Sequence, residues 1–172
     1  MKGLVYLIKA LSEINKFGPT SYKCMVLGRG HSSPYIRLAK KMAIPQEVIF
    51  MGSTDEPEKY YSAADLLVHP TFYDACSLTI LEALASGLPV ITTASNGAGG
   101  IITEGENGFV ILDPRDQRIL AEKIFFLSNG ETAKKASVAA RRSAENHSLE
   151  RNWREMRKII DQVSHNRGKW YG

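Results

Sequence analysis

A doubly wound α/β domain built on a parallel sheet is the fold class this sequence predicts, and two observations carry it. Short apolar runs of strand character alternate along the chain with segments whose apolar residues recur at helical spacing. Several of those runs stop at glycine or proline, as at Gly28, Gly52 and His69-Pro70, the punctuation of strands that feed loops at one edge of a sheet.

From the N-terminus, residues 2–17 place Leu4, Leu7, Ile8, Leu11 and Ile14 on one face, and Gly18-Pro19 supplies a stop, so a helix is expected and the chain begins inside it. Residues 22–27 (YKCMVL) read as a strand running into Gly28-Arg29-Gly30, before a helix with Pro34 near its start and Ile36, Leu38, Ala39 and Met42 on its face. A lone G-x-G is a weak phosphate signal and fits a tight strand-to-helix turn equally well. Residues 47–51 form the next strand, and Ser53-Thr54-Asp55-Glu56 open a helix carrying Tyr60, Tyr61 and Ala64. Leu66, Leu67 and Val68 make a buried strand that breaks at His69-Pro70.

Beyond it, Ser77 is placed to cap a helix with Leu78, Leu81 and Ala85 at helical spacing, stopped by Gly87 and Pro89. Residues 89–93 are a strand, 94–100 a glycine-rich loop, and 108–112 a last strand after Glu106-Asn107-Gly108. Residues 119–127, 132–146 and 149–163 are helical in pattern, with a basic tail from 164 to 172. In the usual doubly wound strand order, 3-2-1-4-5-6, the strand preceding the first helix is the central one. A sheet lacking its first, central strand is therefore expected, with either a gap between residues 22–27 and 66–69 or direct pairing of those strands, and with poor solubility from exposed inner edges.

At 172 residues and 44% hydrophobic content one sizeable core is expected, with residues 1–146 as the ligand-binding domain and 147–172 as its C-terminal helix and tail. A formal charge of +4 suits an acidic partner without selecting one. Cys24 and Cys76 lie far apart, so neither zinc ligation nor a disulfide is indicated, and no acidic or histidine cluster has metal spacing. No apolar run reaches the about 18 residues of a membrane span. The expected location is the cytoplasm, with any membrane contact peripheral and on the inner face. Trp153, Trp170 and Tyr171 in the basic C-terminal region come with no nucleic-acid motif, so a solvated face is the expectation there and no nucleic-acid partner is assigned.

The chemistry concentrates in residues 69–99. Asp74 falls in the loop and Glu82 on the helix eight residues later. Helix side chains lean toward the N-terminus, so Glu82 reaches back toward the pocket that Asp74 and the free amides of residues 76–79 would surround. Such amides and the positive end of a helix dipole attract phosphate, while carboxylates accept from sugar hydroxyls. His69, Cys76 and Arg29 each have a plain structural reading as well: a packed strand end, a small side chain at a helix start, a surface cation.

The Asp74–Glu82 spacing, followed by Glu82-Ala83-Leu84-Ala85-Ser86-Gly87-Leu88-Pro89-Val90, resembles the donor-binding signature of family-four glycosyltransferases of GT-B architecture, an E-x7-E followed by EA-x-A-x-G-x-P-V. The departure is Asp74 for the first glutamate, one methylene shorter. His69-Pro70 and Asn96-Gly97-Ala98 look most like the lipopolysaccharide-core glucosyltransferase branch. The resemblance covers residues 2 to about 163 and implies the C-terminal, Rossmann-like, nucleotide-sugar-binding half, with the acceptor-binding N-terminal half missing. It implies that Glu82 holds ribose hydroxyls and Asp74 faces the transferred sugar. Cys76, Ser77, Leu78 and Thr79 would offer amides to sugar and phosphate. Lys2, in a Lys2-Gly3 match to the family's first helix, would meet the diphosphate without the usual second cation, and Thr54, after the Val48–Gly52 strand, would lie by the base. Gly28 and Gly30, from their own glycine turn after a strand and not from the resemblance, are the remaining donor-binding candidates.

The activity this implies is retaining hexose transfer from a nucleoside diphosphate sugar, most simply a UDP-sugar, to a glycan or lipid-linked acceptor, with no metal or cofactor. Lys2 and the helix amides would stabilise the departing diphosphate, and Asp74 would orient the sugar. The 172-residue chain alone is expected to lack transfer activity. A nucleotide-sugar-binding module without catalysis and a GT-B-type sugar-nucleotide epimerase are the alternatives.

Overall fold

A computed structural model describes residues 3–17 and 22–166. Its elements run α1 (Leu4–Phe17), β1 (Cys24–Leu27), α2 (Ser33–Lys41), β2 (Val48–Gly52), α3 (Pro57–Ala63), β3 (Leu67–Val68), α4 (Leu78–Ala85), β4 (Val90–Thr93), β5 (Gly108–Ile111), α5 (Gln117–Leu127), α6 (Gly130–Glu145) and α7 (Leu149–Asn166). The predicted alternation is present. Residues 94–100, read as loop, contain the start of a short 3-10 helix, Gly97–Ile101, because the Asn96 side chain accepts from the Ala98 amide and caps it.

All strand pairing is parallel and falls into two sheets, β1 with β2 and β3-β4-β5. The order is the expected one with a break in it: among the described residues no strand joins β1 to β3, and the two do not pair directly. What joins the sheets is α1, which is apolar on two sides. Ile8 and Leu11 are buried with Ala39, Ile44 and Val48, on the β1-β2 side. Leu7, Ala10 and Ile14 are buried with Ile91, Phe109, Ile111 and Leu120 on the other. Fully burying one such aliphatic side chain is worth about 1.5–3 kcal/mol, so this one helix supplies much of what holds the halves together.

Helices cover both faces of the larger sheet. Along β4, Val90 packs with Ile80, Ala83 and Leu84 of α4, whereas Ile91 packs with α1 and α5, the alternation of a strand buried on both sides. The buried stripe of α4 is thus Ile80-Ala83-Leu84 and not the expected Leu78-Leu81-Ala85. Leu78 is 67% exposed because it stands on the opposite stripe, the one that also carries Glu82 one turn later. Similarly, α7 runs to Asn166, past the expected end at 163, and its side chains from 149 to 164 are exposed. Residues 167–172, with Trp170 and Tyr171, lie outside the described residues. Among the described residues no helix is long and apolar enough to cross a membrane.

Candidate functional site

The carboxyl end of β3 is where the chain concentrates its polar chemistry. His69, buried, continues the strand: its amide donates to Ile91 O at 2.7 Å, and its carbonyl accepts from the Thr92 hydroxyl and the Thr71 amide. Pro70 then ends the pairing, and its carbonyl accepts from the Gly3 amide at 2.8 Å. A Cβ at Gly3 would sit 2.5 Å from that oxygen, so only glycine lets the start of α1 approach the strand end this closely. Lys2, the predicted phosphate cation beside it in sequence, lies outside the described residues.

The loop that follows is fastened to the β4 loop by its backbone. Asp74 N donates to Ser95 O and Gly97 N to Asp74 O, a parallel bridge around Asn96. The buried Asn96 side chain works in three directions: its Oδ1 accepts from the amides of Ser77 and Ala98, and its Nδ2 donates to the Thr92 hydroxyl. With the backbone thus fixed, the Asp74 carboxylate is partly exposed, with Oδ2 3.6 Å from His69 Nε2.

Ser77 occupies the cap position of α4, as expected, but its side chain makes no cap hydrogen bond; its amide is instead held by Asn96. The amides of Cys76, Leu78 and Thr79 make no hydrogen bond to another described residue, which leaves donors at the positive end of the helix facing outward beside Asp74. Glu82, exposed one turn on, accepts from the Tyr61 hydroxyl of α3 at 2.9 Å. Burial first, and then the bond and charge of Glu82, push the Tyr61 hydroxyl up to about 12, so it is a proton donor across the physiological range. Thr79 stands by the same hydroxyl.

The remaining predicted residues are at the ends of the smaller sheet. Gly28 and Gly30 follow β1 with φ of 136° and 142°, a conformation that side chains with a Cβ rarely adopt, and the space above both is open. Thr54 follows β2, where its hydroxyl accepts from the Glu56 amide. No hydrogen bond joins these three to the 74–82 segment; among the described residues the link from the β2 side is Tyr61, which follows β2 by way of α3. Sequence reasoning placed Tyr61 only on a helix face, because its partner is 21 residues away and no local pattern marks it. Among the described residues no group of three or more His, Cys, Asp or Glu is placed to hold a metal ion. Two shallow grooves lie along α6, one lined by Lys134, Lys135 and Arg142 and the other by Ser137 with Ala85 and Gly87 at the C-terminal end of α4.

The two cysteines make the site's exposure measurable. Cys76 is exposed at the mouth of α4, whereas burial pushes the Cys24 thiol up to about 11. Iodoacetamide at neutral pH is expected to label Cys76 well before Cys24, as peptide mass mapping would show; equal labelling would mean that the first β sheet opens readily.

A family model described as glycosyl transferases group 1 matches residues 1–143. The lipopolysaccharide glucosyltransferase WaaG of Escherichia coli is 32% identical over 121 residues, covering 70% of this chain and 32% of WaaG. A WaaG crystal structure superposes with a TM-score of 0.77 and 29% identity, over 84% of this chain and 39% of that one. A glycosyltransferase from Rickettsia africae superposes with a TM-score of 0.82 and 25% identity, over 96% of this chain and 45% of that one. The pneumococcal O-GlcNAc transferase GtfA, solved with UDP and GlcNAc, shares the fold at 21% identity, with a TM-score of 0.79 over 93% of this chain and 33% of that one. This chain therefore spans about a third of WaaG and less than half of these structural neighbours.

Proposed function

Because the chain belongs to the group 1 glycosyl transferases and has the Rossmann-like fold of the C-terminal domain of GT-B enzymes, we propose that it is the donor-binding half of a retaining hexosyltransferase. Its donor is a nucleoside diphosphate sugar, most simply a UDP-sugar, and its acceptor a glycan or lipid-linked glycan held by a second domain. The observation that carries this reading is the pair of carboxylates, Asp74 and Glu82, on either side of the open amides of Cys76, Leu78 and Thr79 at the start of α4. Diphosphate suits the amides and the helix dipole, and sugar hydroxyls suit the carboxylates. The UDP in the pneumococcal fold neighbour supports the choice of nucleotide.

The hard step in such a transfer is departure of the diphosphate as positive charge grows on the anomeric carbon. Amides already aimed at the leaving group need no reorganisation at that moment, so their stabilisation enters the barrier in full. Lys2 is the cation assigned to the diphosphate in this reading. Asp74, fixed through its backbone by Ser95 and Gly97 and flanked by His69, orients the sugar. The resting place is the cytoplasm, with peripheral contact at the inner face of the membrane where a lipid-linked acceptor would be met.

The test separates nucleotide from sugar. In isothermal calorimetry, Asp74→Asn is expected to weaken UDP-glucose binding about tenfold and UDP binding by less than about twofold, because only the sugar loses a charged acceptor. Equal losses for both ligands would remove Asp74 from the sugar subsite.

A further inference from the structure

Glu82 has two carboxylate oxygens and stands exposed, a side chain that left alone would sample several rotamers and pay entropy to hold a ligand. It is not left alone. The Tyr61 hydroxyl, carried in from α3 on the β2 side, donates to Oε2 at 2.9 Å, and Thr79 stands beside the same hydroxyl from the first turn of α4. We propose that Tyr61 is a positioning residue of the nucleotide site, fixing Oε2 of Glu82 so that Oε1 is presented to the vicinal hydroxyls of the nucleotide's ribose. This rests on the nucleotide-sugar reading above and adds to it a residue outside the 69–90 signature.

The geometry favours ribose over phosphate as the ligand of this pair. A carboxylate repels a diphosphate, whereas its lone pairs match two adjacent hydroxyl donors; with one lone pair of Oε2 taken by Tyr61, three acceptor positions remain for a diol. Tyr61 also has a reason to be tyrosine and not a shorter donor. It bridges two elements that follow different sheets, α3 after β2 and α4 after β3, and a ring half-buried between them delivers the hydroxyl without a flexible stem. Because it touches Glu82 and not the reacting atoms, its removal should affect recognition of the ribose specifically.

The experiment compares UDP with 2′-deoxy-UDP on the full chain by calorimetry. For the wild-type chain a preference for UDP is expected; in Tyr61→Phe, UDP affinity should fall about tenfold while that of 2′-deoxy-UDP changes little, so the preference collapses. Equal losses for the two ligands would show a general disturbance, and an unchanged preference would show that Glu82 needs no positioning; either overturns the inference. Absence of any UDP binding by the wild-type chain would instead overturn the nucleotide reading itself. A second readout needs no ligand. With tyrosine labelled at Cζ, the resonance assigned through Tyr61→Phe should shift in Glu82→Gln while the other tyrosines stay put. A stationary Tyr61 signal would mean that the pair does not form in solution, which also refutes the proposal.

Discussion

Replacing Glu82 with alanine is expected to weaken UDP-sugar binding by about 2 kcal/mol or more, which calorimetry would read as at least a roughly thirtyfold rise in Kd. The substitution removes a charged acceptor, and in the bound state the sugar hydroxyls it served would be desolvated without a partner. An unmade hydrogen bond in such a place costs more than a made one contributes, because both partners are well hydrated when free. The folded chain should lose little beyond the surface hydrogen bond from Tyr61, since Glu82 is exposed and its stripe of α4 faces away from Ile80, Ala83 and Leu84. A large loss of affinity with an unchanged melting temperature is therefore the expected pair of results. Unchanged affinity would remove Glu82 from the site.

Gly97→Ala should do the opposite, striking stability and binding together. The added Cβ would fall well inside contact distance of the Ala75 carbonyl, and backbone, unlike a flexible side chain, has nowhere cheap to go. Relief requires the 74–76 segment to part from the Asn96 loop, breaking the bonds of Gly97 N to Asp74 O and Asp74 N to Ser95 O and disturbing the Asn96 side chain that holds the Ser77 amide. Overpacking of this kind costs about 3 kcal/mol, equivalent to a fall of roughly 10 °C in melting temperature for a domain of this size. Gly100→Ala is the control: its Cβ would meet nothing within 4 Å, and it should melt close to the parent. A Gly97→Ala chain that melts with the control would show that the loop yields and that its fastening does not hold Asp74 in place.

The parts of this molecule that local physics determines were legible in the sequence. Strand and helix alternate where the apolar pattern says so, and the strand order with a break before β3 follows from counting units against the doubly wound scheme. The Asp74 and Glu82 spacing was legible because one residue sits in a loop and the other on the helix that follows it within a few residues. What escaped was set by tertiary contact. Leu78 looks like a core residue by spacing, yet it stands on the outer stripe of α4, and a helix of eight residues with so many apolar positions does not declare which stripe is buried. Ser77 sits at the cap position, but the demand of the first turn is met in part by Asn96, whose value comes from β4 bringing it within reach 19 residues later. Tyr61 belongs to the same class, a hydroxyl whose purpose exists only after α3 and α4 have packed.

The break between β1 and β3 bears on how affinity and rigidity are related in this chain. Among the described residues the halves are held across that seam by the side chains of α1, without a ladder of backbone hydrogen bonds from β1 to β3 of the kind that resists sliding within a sheet. Interdigitated side chains can slip and repack at lower cost than a ladder can unzip, so β1, α2 and β2 are expected to open ahead of global unfolding, which faster amide exchange in β1 than in β4 would show. A ligand that engages the strand ends of both units binds only their docked arrangement, and by mass action it works as a clasp: each tenfold excess over Kd adds about 1.4 kcal/mol against opening. Tightness of binding and stiffness of the seam then become two readings of one free energy, so a substitution that loosens α1 would lower affinity without touching the ligand.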